Sequence, residues 1–183
     1  MSDTSTRSTR ERRVFWGSLA ALVVAIPAAL TLRGYDSALA WWSNQEFYPL
    51  IAEPGKPVRY GGAEWRLEGL YQLIGQDQKS AFILAEFEAK IDDPTAFAGG
   101  PCQIALSDRG EKRWAPQFLT PYEVRKARPS IDERSTCNSA AVKPIKAGET
   151  VKMAETFRAP AEITKFDLAI SQAATRPSYL ILR

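Results

Sequence analysis

The chain has 183 residues, 45% hydrophobic and 25% charged, with a formal net charge of +3. That length suits one well-cored domain plus an appendage, and the composition excludes a disordered chain, a collagen-like chain and a disulfide-dense miniprotein. No histidine is present, which excludes triads and metal sites that depend on imidazole.

Residues 14–32, VFWGSLAALVVAIPAALTL, carry no charge and would make a helix about 28 Å long, close to the hydrocarbon thickness of a bilayer. Ser18 and Thr31 are the only hydroxyls, so the polar face of a soluble core helix is missing. Residues 1–13 read as a basic cytoplasmic tail. Arg7, Arg10, Arg12 and Arg13 precede the apolar run, whereas only Arg33 follows it before Lys56. The expected product is a single-pass protein of a bacterial inner membrane, amino terminus inside, with the rest in the periplasm or outside. Phe15 and Trp16 at one boundary, and Trp41 and Trp42 beyond the other, match rings that settle among lipid headgroups. The rival reading is a leader cleaved after Ala40, from the small-residue pattern Ala38-Leu39-Ala40. Both readings export the bulk of the chain.

Residues 33–55 read as a membrane-proximal connector, ending among Pro54, Gly55 and Pro57. From 56 to 183, period-two patterning dominates. Trp65, Leu67, Gly69, Tyr71 and Leu73 oppose Arg66, Glu68 and Gln72, and Ile83, Ala85, Phe87, Ala89 and Ile91 oppose Glu86, Glu88 and Lys90. Cys102, Ile104 and Leu106 lead into the turn Asp108-Arg109-Gly110-Glu111, with Trp114 beyond it, which predicts a hairpin. Val151 and Met153, then Phe166, Leu168 and Ile170, then residues 179–182 supply further strands. Seven or so short strands with short connections predict an all-β, antiparallel two-sheet sandwich.

Residues 117–136 break this pattern, and Tyr122–Ala127 is predicted to make a helical turn between Pro121 and Pro129. The only two cysteines, Cys102 and Cys137, predict a disulfide in an oxidising compartment. A zinc site would lack half of its usual ligands.

Three segments carry a family resemblance: AFILAEFEAKI at 81–91, IALSDRGEKRWAP at 104–116, and IKAGETVKMAETFRAP at 145–160 ahead of FDLAI at 166–170. Together they resemble bacterial extracytoplasmic immunoglobulin-like β-sandwich domains of unknown function behind an N-terminal signal or membrane anchor. The resemblance implies a binding or assembly module and transfers no catalytic residue.

Three functions follow as expectations. The first is a noncatalytic tether that binds or positions an envelope protein through Tyr122, Arg125, Lys126 and Arg128, one aromatic platform with three cations. The second is recognition of cell-wall glycan by the same surface. The third is a hydrolase using carboxylates among Glu86, Glu88, Asp92 and Asp93, whose first reading is solvation and turn formation. Ser130, Ser135 and Ser139 lie near Lys126 and Lys143 without a spacing that pairs nucleophile and base. No cofactor or metal motif appears. The 19 Lys or Arg against 17 Asp or Glu after residue 52 argue against a nucleic-acid partner.

Overall fold

The computed structural model describes residues 4–74, 79–109 and 112–183, and of these all side chains except those of 4–10, 32–34, 36–40, 43, 44 and 74. The chain divides into two compact units between Asn44 and Gln45. The first is a single helix, α1, Thr4–Asn44, which continues well past the expected apolar segment with Pro27 inside it. Its stretch Glu11–Thr31 has a mean hydropathy of 2.0, and none of it is buried. Ser18 Oγ donates to the Val14 carbonyl and Thr31 Oγ1 to the Ala28 carbonyl, both at 2.9 Å. Both hydroxyls are therefore satisfied within the helix and form no polar stripe.

The second unit is a mostly β, two-sheet sandwich. Its strands are β1 Tyr48–Ile51, β2 Val58–Tyr60, β3 Ala63–Ile74, β4 Ser80–Ile91, β5 Cys102–Ser107, β6 Arg113–Trp114, β7 Thr150–Pro160, β8 Asp167–Gln172 and β9 Ser178–Leu182. One sheet has the order β1-β9-β8-β5-β6 and the other β2-β3-β4-β7. The period-two reading of β4 holds, but that of β3 holds only as far as Leu67: the antiparallel register slips between Leu67 and Gly69, so Leu70, opposite Ala85, joins Trp65 and Leu67 on the inner face, and Tyr71 and Leu73, expected there, turn to the outer one. The predicted hairpin forms between β5 and β6, pairing Leu106 with Trp114. Gly110 and Glu111 of its turn lie outside the described residues.

The inner faces share one core. Trp65, Phe87 and Phe157 come from one sheet; Leu106, Leu168, Ile170 and Leu180 come from the other. Trp65 lies 6.2 Å from the Phe87 ring and 5.8 Å from the Phe97 ring, and its Nε1 donates to the Tyr60 carbonyl at 2.8 Å. The Tyr60 hydroxyl crosses between sheets, accepting from the Gln172 N–H at 3.1 Å and donating to the Ser178 carbonyl at 3.0 Å. Satisfying a buried phenol in this way fixes the relative register of the layers.

Three expectations are corrected. Residues 33–55 are not a connector throughout: helix continues to Asn44, and residues 48–51 form β1, so the sandwich unit begins at Gln45 rather than at 56. The pairing is not wholly antiparallel, because β1 lies parallel to β9, with Tyr48 opposite Ser178. Its Pro49 is tolerated because β1 is an edge strand. Glu86 is not solvated; it is 4% exposed. Five consecutive residues are buried in both β4 and β7, which happens only when both faces of a sheet are covered.

Candidate functional site

The cover is the excursion at 117–136, fastened to β7 at both ends. The Gln117 N–H donates to the Thr156 carbonyl at 2.6 Å; at the other end Ser135 donates to the Lys152 carbonyl and accepts from the Ala154 N–H. Between them run the predicted helical turn, α3 Tyr122–Ala127, and a 3-10 turn, Pro129–Glu133. Val124 and Ile131 are the buried residues of these turns, and they pack with Leu84 and Ala154 beside Tyr71, Leu73 and Phe82. The excursion thus owns a small apolar core on the outer face of the β2-β3-β4-β7 sheet.

With Val124 facing inward, helical spacing divides the four predicted residues. Arg128, four positions on, turns toward the sheet and places its guanidinium 3.8 Å from the centre of the Tyr71 ring. Its charge anchors the segment. Tyr122, Arg125 and Lys126 are all exposed, and Arg125 approaches Asp132 at 3.5 Å. The structure therefore brings three of the four together. It adds two residues that sequence reasoning missed, Phe118 and Leu119, which are 97% and 70% exposed beside the 74% exposed Tyr122. The available signal was an apolar pair with no alternating neighbours, just before Thr120-Pro121.

The end of the excursion is pinned by the Cys102–Cys137 disulfide, whose Cα atoms are 5.8 Å apart. Cys137 opens α4, Cys137–Ala141, behind the capping hydroxyl of Thr136. Its N–H donates to Glu155 Oε1 at 3.0 Å, and the Cys102 N–H donates to Asn138 Oδ1 at 3.0 Å. Burial pushes the Glu155 carboxyl above its ordinary range, partly offset by the Cys137 N–H. The folded state holds that proton to higher pH than the unfolded state, so ionisation of Glu155 costs stability as pH rises through the window between them. Glu155→Gln keeps an acceptor for Cys137 without the charge. It is expected to raise stability near pH 7, with the gain shrinking toward about pH 4, where the unfolded carboxyl also holds its proton. Urea unfolding at both values checks this, and an undiminished gain at low pH would contradict it.

Three of the four carboxylates considered for hydrolysis have other partners. Asp93 caps the short helix α2, Pro94–Phe97, accepting from the Thr95 and Ala96 N–H groups at 2.9 and 3.2 Å. Asp92 lies 3.7 Å from Arg59, and Glu86 lies 3.6 Å from Arg134. Of the serines, Ser135 does meet a lysine, Lys143, at 2.9 Å, beside an open cavity of about 310 Å³. Lys143 is exposed, whereas a lysine base needs desolvation to shed its proton. Among the described residues no group of three Cys, Asp or Glu is placed to hold a metal ion.

Phe15 and Trp16 meet edge-on at 5.9 Å on α1, and Trp41 and Trp42 are exposed on the same continuous helix.

No family model matches the sequence, and no curated protein matches it. Among solved structures, the chain is similar to an uncharacterized beta-sandwich protein from Clostridium difficile 630, at 9% identity, 75% coverage of this chain, 95% of that chain and a TM-score of 0.43. It is also similar to a conserved hypothetical protein from Bacillus anthracis, at 12% identity, 74% and 95% coverage and a TM-score of 0.40. Likeness at that level assigns neither family nor function.

Proposed function

We propose that the chain is a single-span, noncatalytic envelope protein whose immunoglobulin-like sandwich sits outside the bacterial inner membrane and binds a protein partner through Phe118, Leu119, Tyr122, Arg125 and Lys126. The observation that carries the tether is α1: Glu11–Thr31 is apolar and wholly unburied. Its continuity supports the aromatic belts. At 1.5 Å per residue, Phe15 and Trp42 stand about 40 Å apart along the axis, matching a bilayer of about 40–45 Å with its headgroups. The arginines ahead of Val14 favour an amino terminus inside.

The binding half rests on the exposed apolar tip with two cations beside it, on a segment stapled to β7 and closed by the disulfide. Such a tip suits a shallow apolar pocket with an acidic rim, and pre-ordering reduces what binding must immobilise. Confinement at a membrane raises the effective concentration of a neighbour, so a small interface suffices. Glycan recognition has Tyr122 as a stacking ring, but Phe118 and Leu119 offer a polymer of hydroxyls nothing to hydrogen-bond.

Two measurements test the reading. A periplasm-dependent phosphatase fused after Arg183 is expected to be active, and activity only of a cytosolic reporter there would reverse the topology. Crosslinking in intact cells is expected to trap one defined membrane-protein adduct. Phe118→Ala with Leu119→Ala should reduce its yield about tenfold, the scale of hot-spot truncation. Because both side chains are exposed, the thermal midpoint should not move. An unchanged adduct in the double variant removes this surface from the proposal.

A further inference from the structure

A cavity of about 250 Å³ opens between the sheets where Leu70 and Gln72 of β3 and Ile83 of β4 face Thr164, Lys165 and Phe166. Leu70, Ile83 and Phe166 supply its apolar lining, a small area because Ile83 and Phe166 are only 1% and 8% exposed, and Gln72 and Thr164 add polar groups. Its rim carries Arg109 and Lys165, and among the described residues no carboxylate lines it.

Arg109 is held at this rim in an unusual backbone state. Its φ is 67°, the left-handed region that residues with side chains seldom adopt, and no other described non-glycine residue shares it. The Nε–H of Arg109 donates to Asp167 Oδ1 at 3.0 Å, while Arg183 Nε donates to Oδ2 at 3.1 Å. Asp167 is only 2% exposed. This buried carboxylate orients the guanidinium through Nε alone, leaving both terminal amino groups without a partner among the described residues. Lys165 is exposed and likewise forms no ion pair among them. The positive φ belongs to the turn of the β5–β6 hairpin and fixes where the Arg109 side chain leaves the backbone.

A preoriented guanidinium with two unspent amino groups fits an oxyanion in a forked geometry, and Lys165, which lines the same cavity, adds a second charge. A bare ion would leave the apolar lining unused. We infer that this cavity binds a small amphipathic anion, with an oxyanion head, phosphate or carboxylate, between Arg109 and Lys165 and a short apolar body on Leu70, Ile83 and Phe166. The inference is independent of the partner surface proposed above and of the direction in which α1 crosses a bilayer.

The test is calorimetric titration of the full chain in phosphatidylcholine nanodiscs with phenyl phosphate, inorganic phosphate and phenol, against empty nanodiscs. Phenyl phosphate is expected to saturate one site per chain, about threefold tighter than inorganic phosphate, because only a small apolar area is open to its ring, and at least about tenfold tighter than phenol, because phenol engages neither cation. Arg109→Gly suits the positive φ and removes the guanidinium; Lys165→Gln alters an exposed, unpaired side chain and leaves the fold intact. Each should weaken phenyl phosphate by about tenfold, the scale of one charged hydrogen-bonding partner. Absence of saturable heat with phenyl phosphate, or binding unchanged in Lys165→Gln, overturns the inference. Equal binding of inorganic phosphate overturns the amphipathic assignment, and equal binding of phenol overturns the anionic one.

Discussion

Replacing Cys102 and Cys137 together by alanine is expected to lower the unfolding free energy by about 4 kcal/mol, the chain-entropy value for releasing a loop of this size. The two residues are separated by 35 positions, and the loop between them includes most of β5, all of β6 and the whole excursion. Both cysteines are about 1% exposed, so alanine leaves no polar group stranded at either site. The bond links the first residue of β5, in one sheet, to α4, whose N-terminus is held by Glu155 of the other sheet. Its loss therefore loosens the layers against one another as well as the loop. Urea denaturation of the oxidised parent and the double variant reads the difference, and a loss below about 1 kcal/mol would show that the unfolded chain was scarcely constrained by the bond. On the partner surface proposed above, the same variant should give a lower crosslinked yield with Phe118 and Leu119 untouched, because one fastening of their segment is gone.

The disulfide was legible because two cysteines allow one pairing, and β4 because sustained alternation over nine residues is what a strand with two unlike faces produces and a helix does not; β3 was legible as a strand, but its alternation gave no sign of the slip after Leu67 that turns Tyr71 and Leu73 outward. Glu86 shows where that logic stops. Alternation tells which residues share a face, not whether the face meets water, and the cover at 117–136 is more than thirty residues away, with prolines and charges that hide its Val124 and Ile131 anchors. Strand β1 was illegible for a related reason. Its partner β9 lies about 130 residues later in a parallel register, so no turn between them announces the pairing, and Pro49 reads as a break. The basic face of α3 was legible as composition, but the parting of Arg128 from Tyr122, Arg125 and Lys126 depends on Val124 pointing inward. Arg109 and Lys165 share no spacing at all. Only the meeting of the two sheets puts them at one cavity.

Arg134→Ala is expected to destabilise the sandwich by about 3 kcal/mol, because it strands buried charge rather than merely deleting a contact. The Arg134 side chain is 14% exposed, with Nη1 2.6 Å from Glu68 Oε2 and Nη2 3.6 Å from Glu86 Oε2. The close contact to Glu68 is off the hydrogen-bonding direction, so Coulomb attraction carries it. Glu86 Oε1 finds no donor among the described residues and depends on that guanidinium for compensation. The charge, not the lost volume, should dominate, and a second substitution separates the two causes: Arg134→Ala combined with Glu86→Gln should recover more than about 1 kcal/mol of the loss, a coupling expected only of groups in direct interaction. Arg134 immediately follows the 3-10 turn, so its removal should also speed amide exchange at Val124, Arg125 and Arg128, whose hydrogen bonds close α3. If Arg134→Ala stays within about 0.5 kcal/mol of the parent, or the second substitution restores nothing, the excursion is held without Arg134, by its bonds to β7, the Arg128 contact with Tyr71 and the Val124 and Ile131 anchors, and Glu86 is wetted by a path that the packed structure does not show.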